Sequence, residues 1–277
     1  MTTFHELGLI VPLPPMELRL MQENDERFLE VGMQLARLLF RLGMKSTDDL
    51  LDVGCSVGRL PIALMTGTDF RGRYLGFDVM PKQIGWASDH LSPIAPNYEF
   101  IHIDVRNDRY NPTGTVAPTR ARFPASDCTF DTACLFSIFT HFYASDIRLY
   151  LCELHRVLRP GGLIVATWLL YDDDRYDVAV NSPAYPMAYR LDDFTIYNDA
   201  SHPLRAIAFH EALVHEMAAS AGLEIIKVEH GTWAGGAGPE FQDVVLLRRP
   251  VESVAFKLEL ARKRLRRGMR QARRWFG

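Results

Sequence analysis

The sequence lacks any apolar run of about 18 residues, the length that a membrane-spanning helix needs, and it has only 4 cysteines among 277 residues. None of the cysteines belongs to a Cys-x-x-Cys pair, and all lie in or beside apolar segments, as reduced core thiols do: Cys55, Cys128, Cys134 and Cys152. The first 15 residues have no basic stretch, so no secretory signal is expected. These absences exclude a disulfide scaffold and predict a cytoplasmic protein.

Charge is unevenly distributed along the chain. Residues 251–277 have nine Lys and Arg side chains and two Glu, a net charge of +7. Since the net charge of the whole chain is −3, residues 1–250 have a net charge of −10. Apolar residues of this segment fall on one helical stripe, from Val254 to Phe276. We predict a basic amphipathic C-terminal helix over 251–277 that contacts a membrane surface, RNA or the acidic body of the protein. A membrane contact would make the protein peripheral to the inner membrane face.

Short apolar runs alternate with helix-compatible stretches from residue 50 onward. The predicted strands are 50–53, 74–77, 98–103, 132–136, 163–170, 224–228 and 243–247. The spacing of the first five suits right-handed helical crossovers, and a glycine-rich loop over 231–238 suits an antiparallel pair at the end. The pattern predicts an α/β fold with a seven-stranded, mostly parallel sheet and a terminal antiparallel strand.

Two segments lie outside this alternation. Apolar residues recur at three- and four-residue steps between Asn24 and Gly43, which predicts an N-terminal helical cap over 1–43. Residues 172–209 contain three prolines and no strand-helix rhythm, and we predict that they form a lid insert within a main domain over 44–250.

The ends of the first three predicted strands indicate a ligand site. The first strand leads into Asp52, Gly54 and Gly58, a turn where backbone without side chains can lie against a ligand. Asp78 ends the second strand, 20 residues after Gly58, and Asp104 ends the third. At this sheet edge one carboxylate can accept two ribose hydroxyls and another an exocyclic amine. Any one of these acids is equally well explained as a helix cap.

The segment from residue 50 to about 247 resembles the class I S-adenosylmethionine (SAM)-dependent methyltransferases. Asp52-x-Gly54-x-x-x-Gly58 resembles their first motif, and Leu-His-Arg-Val-Leu-Arg-Pro-Gly-Gly over 154–162 is the most specific match. The resemblance implies a Rossmann-like sheet, SAM as cofactor and a SAM-binding domain over 44–250. The donor-binding residues that it implies are Asp52, Gly54, Cys55, Ser56, Gly58, Arg59, Asp78, Val79, Asp104, Val105 and Phe136. Ser56 stands where the family usually has a glycine.

The resemblance is closest to a bacterial subgroup that includes methyltransferases of sugars and other small hydroxyl compounds. The matching residues are Pro14, Pro15, Leu18 and Arg19, then Ser-x-Phe-Thr-His over 137–141, and finally Gln242-Asp243. We therefore expect an O-methyltransferase for a hydroxyl of a sugar, a glycan precursor or another small molecule.

His141 is the candidate general base. Methyl transfer is an in-line displacement, and an alcohol acceptor must also lose its proton, which an imidazole can take near neutral pH. The alternative is a buried histidine that caps the next helix.

Other residues near strand ends are candidates for acceptor or metal binding. Aromatic or imidazole side chains that could contact an acceptor are Trp168, Tyr171, His230 and Trp233. Asp172, Asp173 and Asp174 follow Tyr171, and such a cluster can hold Mg²⁺. Loop acids are more often solvated, and the sequence requires no metal.

Three other functions stay open. A methyltransferase of RNA or another macromolecule would suit the basic tail, but no Asn/Asp-Pro-Pro-aromatic motif follows the fourth strand and no Pro-Cys occurs. A nicotinamide dehydrogenase would have Gly-x-Gly-x-x-Gly at the first turn, where this chain has Gly-x-x-x-Gly. A non-catalytic SAM-binding protein would have the same donor-site residues.

Overall fold

The protein is described by a computed structural model that covers residues 3–6, 9–20, 24–183 and 185–251. The elements in chain order are β1 (Thr3–Glu6), β2 (Leu9–Pro12), α1 (Asp25–Arg41), β3 (Leu50–Val53), α2 (Arg59–Gly67), β4 (Tyr74–Asp78), α3 (Pro81–His90), β5 (Tyr98–His102), β6 (Phe130–Leu135), α4 (Ala144–Val157), β7 (Leu158–Trp168), β8 (Leu170–Tyr171), α5 (Tyr176–Val180), β9 (Tyr189–Asp192), β10 (Thr195–Tyr197), β11 (Ile207–His210), α6 (Glu211–Ser220), β12 (Glu224–Glu229) and β13 (Asp243–Arg248). The predicted basic helix over 251–277 lies outside the described residues except for its first position. In the described part of the chain no helix is both long and apolar enough to cross a membrane.

Seven strands form the central sheet in the order β12-β13-β7-β6-β3-β4-β5. β13 is antiparallel to both of its neighbours, and the pairs from β7 through β5 are parallel. The predicted Rossmann-like α/β sheet with its terminal antiparallel strand is therefore confirmed. The chain passes from β3 to β4 on one side and later returns to β6 on the other side of β3. In open α/β sheets ligands bind at this switch point, beyond the carboxyl ends of the strands.

Helices cover both faces of the sheet because successive strand residues point to opposite faces. Ala133 and Leu135 of β6 belong to the apolar layer that α4 and α6 complete, whereas Cys134 between them belongs to the layer beneath α1, α2 and α3. A run of apolar residues without alternation is what a parallel strand buried on both faces requires.

The N-terminal segment differs from the predicted helical cap over 1–43. β1 and β2 form an antiparallel hairpin that packs against α2. The chain Leu9-Ile10-Val11 is rich in residues that favour strands, which explains the hairpin. α1 itself was correctly predicted: the Asn24 side chain accepts a hydrogen bond from the Arg27 amide at 2.8 Å, and Gly43 follows the helix at φ +109°.

The 172–209 segment contains α5 and a small sheet that the sequence pattern did not predict. Its strands β9, β10 and β11 pair with β8 in the order β8-β11-β10-β9. Three short strands separated by prolines and polar turns give no sustained alternation, and this is why the pattern missed them. That the segment acts as a lid stays a prediction.

Candidate active site

A cavity of about 950 Å³ opens at the carboxyl ends of β3, β4 and β6. Its size falls within the usual range of small-molecule sites. α1 contributes Phe28, Val31 and Leu35 to the wall, and the insert contributes Leu204 and Arg205. The cavity therefore connects the sheet edge, the N-terminal helix and the insert.

Three residues of the turn after β3 have a positive φ, the backbone conformation that glycine adopts most easily. Gly54, Ser56 and Gly58 have φ values of +81°, +49° and +92°. A Cβ at Gly58 would come within 2.8 Å of Leu91, so this glycine allows α2 to pack beside α3. Gly58 is not among the described residues that line the cavity, although Val57 and Arg59 on either side of it are, and its predicted donor contact stays a prediction.

Gly54 brings the turn into contact with the segment after β6. A Cβ on Gly54 would overlap the side chain of Ile138. Ile138 in turn accepts the hydrogen bond from the backbone amide of His141 at 3.0 Å. The glycine turn and the candidate base are thus linked through one residue.

Asp52 lies at the buried floor of the cavity. Its carboxylate accepts hydrogen bonds from the Tyr74 hydroxyl at 2.7 Å and from the Cys134 thiol at 3.4 Å. Burial raises the pKa of Asp52 to about 6.

Asp78 has the geometry expected of a ribose-binding acid. Its Oδ2 accepts the Ser56 amide at 2.8 Å and its Oδ1 accepts the Met80 amide at 3.1 Å. The Val79 amide also donates to this carboxylate, and the lone-pair capacity that remains can accept from a bound ribose. Burial raises the pKa of Asp78, and these backbone hydrogen bonds oppose that rise.

The hydroxyl of Ser56 provides an independent test of the fit to a polar donor. This oxygen is buried in the wall of the cavity and has no hydrogen-bond partner among the described residues. A buried hydroxyl without a partner is costly, and a bound polar group would satisfy it. The residues present therefore fit a nucleoside such as the adenosine of SAM.

Most other predicted donor residues line the same cavity. They are Cys55, Arg59, Val79, Val105 and Phe136. The guanidinium carbon of Arg59 lies 5.5 Å from the ring centre of Phe28, which joins the start of α2 to α1.

Asp104 lies in the loop that follows β5, and its predicted contact with the donor stays a prediction. It does not belong to the described lining of the cavity. Its carboxylate instead accepts the Thr115 amide at 3.1 Å, the Thr115 hydroxyl at 2.5 Å and the Asn111 side-chain amide at 3.2 Å. These hydrogen bonds lower the pKa of Asp104. The residue stabilises the loop between β5 and β6, and its neighbours Ile103 and Val105 line the cavity.

His141 lies in the cavity wall at the end of a 3₁₀ turn, Phe139–His141. Its Nδ1 donates a hydrogen bond to the Leu204 carbonyl oxygen at 3.1 Å. This bond assigns the ring proton to Nδ1 and the lone pair to Nε2. Burial lowers the pKa of His141, so the imidazole is neutral and able to accept a proton at physiological pH.

Several cavity residues were missed by the sequence analysis. Tyr110 and Arg109 come from the irregular loop after β5, Asp146 from the first turn of α4, and Arg205 from the insert. Burial raises the pKa of Asp146. On sequence alone Asp146 is an ordinary acid in the first turn of a helix, and no motif marks the loop residues.

The four predicted acceptor residues do not belong to the described lining of the cavity. Trp168 is fully buried, with its ring centre 4.4 Å from that of Phe139. Tyr171 is buried and its ring meets His210 edge-on at 5.2 Å. Both side chains are packed in apolar cores, and an acceptor contact for them stays a prediction.

Trp233 and His230 are held by a buried ionic cluster next to the insert. The Trp233 indole donates to Asp243 at 2.5 Å, and the same carboxylate accepts the backbone amides of Leu170 and Gly231. Arg175 donates to Nδ1 of His230 at 2.6 Å. Asp243 thus fixes the glycine-rich loop over 231–238 to β8. Trp233 and His230 are held in this cluster and do not line the cavity.

The acidic run after Tyr171 does not form a metal centre. Asp172 pairs with Arg175 at 3.1 Å, and Asp173 is fully exposed. Within the described ranges no group of three His, Cys, Asp or Glu side chains is arranged to hold a metal ion.

The N-terminal and late motifs hold the walls of the cavity in place. Arg19 is buried, donates to the Pro14 carbonyl at 2.6 Å and pairs with Asp25 at the start of α1. Gln242 lines the cavity and accepts the Ser137 hydroxyl at 3.1 Å. Both the Pro14–Arg19 motif and the Gln242-Asp243 motif therefore have a structural role.

Comparison with known proteins agrees with the fold. Residues 51–166 match the family model described as a methyltransferase domain. This part of the chain is therefore similar to that family. The sheet order above agrees with a Rossmann-like methyltransferase fold, and the similarity implies SAM as the cofactor.

A curated relative and two solved structures show how far the similarity extends. The sterol 4-C-methyltransferase of Caenorhabditis elegans is 27% identical over 139 residues, which are 50% of this chain and 35% of that protein. A SAM-dependent methyltransferase from Methanosarcina mazei superimposes with a TM-score of 0.52 at 16% identity, covering 77% of this chain and 98% of the other. The [4+2]-cyclase SpnF gives a TM-score of 0.52 at 18% identity, covering 83% and 86%. The structures establish the fold, and the chain spans about a third of the curated relative.

Proposed function

We propose that the chain is a SAM-dependent O-methyltransferase that methylates a hydroxyl of a sugar, a glycan precursor or another small molecule. The observation that carries the proposal is that His141, with its Nδ1 hydrogen held by Leu204, lines the same cavity as Asp78 and Gly54. A donor-side carboxylate and a neutral imidazole therefore share one space.

The residues of the cavity divide into donor and acceptor roles. SAM supplies a methyl group on a sulfonium, which becomes a neutral thioether when the methyl leaves. Asp78 would accept the ribose hydroxyls, Ser56 would hydrogen-bond the donor, and Arg59 would face its carboxylate. Nε2 of His141 would take the hydroxyl proton as the acceptor oxygen attacks, and the closed walls would exclude water.

The lining is largely apolar, and a few polar groups in it support a small acceptor that carries polar groups of its own. His141, Asp146 and Arg205 all present polar groups to the cavity. Burying these groups against a wholly apolar molecule would leave them without hydrogen-bond partners, which costs free energy.

Two measurements on the full chain test the proposal. Calorimetry with S-adenosylhomocysteine measures donor-site binding, and SAM labelled in its methyl group measures transfer to a panel of mono- and disaccharides and small alcohols. Binding together with an alkali-stable methyl ether supports the proposal, whereas absence of binding overturns it.

The alternatives have different outcomes in the same experiment. Binding without transfer to any hydroxyl compound would favour a non-catalytic SAM-binding protein. Transfer to RNA with a steep dependence on salt would favour a macromolecular acceptor, with the basic tail as its contact.

A further inference from the structure

Two arginine side chains line the cavity at the end that contains His141. Arg205 directly follows Leu204, whose carbonyl oxygen accepts the His141 hydrogen bond. The guanidinium carbon of Arg109 lies 5.1 Å from the ring centre of Tyr110, and that ring meets the His141 imidazole edge-on at 6.4 Å. Each of the two chain segments that contact the candidate base therefore has one arginine in the cavity lining.

Neither arginine has a close, buried carboxylate partner among the described residues, although Asp108 and Asp146 also line the cavity. Arg205 pairs with Asp199 at 3.4 Å, but its side chain is 64% exposed, and exposed pairs of this kind contribute little. Arg109 has no carboxylate within 4 Å among the described residues. The pKa of His141 is lowered first by burial and also by the charge of Arg109, so this arginine lies close enough to act on the imidazole.

The donor does not account for these cations. The carboxylate of a bound SAM would be on the side of the glycine turn, where Arg59 begins α2 and lines the cavity. Arg109 and Arg205 belong instead to the β5–β6 loop and the insert, beside the candidate base. Guanidinium groups bind carboxylates and phosphates through charge-assisted hydrogen bonds.

We infer that the methyl acceptor is an anionic alcohol, whose carboxylate or phosphate is held by Arg109 and Arg205 while its hydroxyl faces His141. This assignment of a substrate class rests on the proposed function. A carboxylate and a phosphate share the same recognition chemistry here, and the test below separates them.

The test uses acceptors that share a hydroxyl framework and differ in charge. One series is glucose, glucuronate and glucose 6-phosphate, and a second is 4-hydroxybenzyl alcohol and 4-hydroxybenzoate. Each is assayed with the full chain for methyl transfer and, in the presence of S-adenosylhomocysteine, for binding by calorimetry. The binding arm gives the comparison even for a compound that is not turned over.

Three variants and two controls assign any charge preference to the two arginines. Arg109→Gln and Arg205→Gln should each raise the KM or Kd of the preferred anion by about 10-fold, and the double variant by about 100-fold. The affinity for S-adenosylhomocysteine and for the neutral compounds should stay within about twofold. Arg120→Gln and Arg190→Gln are matched controls, because these exposed arginines lie outside the described cavity lining.

The results separate failure of the inference from failure of the proposed function. Equal binding of charged and neutral partners by the wild type, or a preference that survives in the double variant, would overturn the anionic acceptor. RNA binding that the double variant abolishes would also overturn it, because the arginines would then serve a polynucleotide. A wild-type chain that does not bind S-adenosylhomocysteine would instead remove the proposed function itself.

Discussion

The imidazole of His141 donates its Nδ1 hydrogen to the carbonyl oxygen of Leu204, 3.1 Å away. The first residue follows the central strand β6, and the second belongs to the 172–209 insert. The insert therefore sets the tautomer of the candidate base, and with it the nitrogen that can take a proton.

Replacement of His141 should separate chemistry from donor binding. We expect His141→Ala to lower kcat by about 10²- to 10⁴-fold, the usual contribution of a positioned general base. The Kd for S-adenosylhomocysteine should be nearly unchanged, because no donor group is assigned to this side chain. Steady-state kinetics and calorimetry on the same preparation measure both quantities, and full activity in the variant would exclude the base role.

The pH profile should report the environment of His141. Protonated imidazole cannot act as a base, so kcat/KM should rise with pH through the pKa of His141 and then level off. Because burial lowers this pKa, the midpoint should lie below the ordinary histidine value of about 6.5. Arg109→Gln should move the midpoint to higher pH, since the charge of Arg109 contributes to the lowering; a midpoint that stays fixed would contradict this contact.

Asp78 should control donor affinity. Asp78→Ala removes the acceptor proposed for the ribose hydroxyls, and the Kd for S-adenosylhomocysteine should rise by about 10- to 100-fold. Asp69→Ala is the matched control, because its side chain is 74% exposed and distant in sequence from the glycine turn. Circular dichroism should first show that both variants fold, since Asp78 also accepts two backbone amides. Unchanged affinity in a folded Asp78 variant would refute the placement of the ribose.

An ion pair between α1 and β12 should make stability depend on pH in the acid range. Arg41 donates to both oxygens of Glu229, and this hydrogen bonding lowers the pKa of Glu229 from 4.5 to about 2. The folded state therefore binds the proton less tightly than the unfolded state. The contribution is present above about pH 4.5 and is lost as the pH falls towards about 2.

Urea unfolding of Glu229→Gln measures this contribution. Because the Arg41 side chain is 41% exposed, we expect a loss of only about 1 kcal/mol at neutral pH, and a smaller difference from wild type at about pH 3. Glu224→Gln is the control. Glu224 is on β12, like Glu229, and its ion pair with Arg248 of β13 is more exposed. A constant difference at both pH values would show that charge is not its cause.

The sequence predicted the cavity residues at the strand ends better than those on the loops and the insert. Gly54 and Asp78 could be found because each follows an apolar strand in the sequence. A parallel sheet brings the ends of such strands to one edge, where ligands bind. Trp168 and Trp233 could not be placed, because one residue of register decides whether a strand side chain faces the core, and Trp233 is held by a carboxylate ten residues away. Arg109 and Asp146 have no local signal, since a loop and a helix start can carry charge for many reasons.

The position that Ile138 occupies against Gly54 has a consequence for how this sequence could change over generations. A Cβ on residue 54 would overlap the end of the Ile138 side chain, and the φ of +81° would strain any residue other than glycine. A substitution at residue 54 would therefore need a smaller side chain at residue 138, so the two positions are expected to vary together.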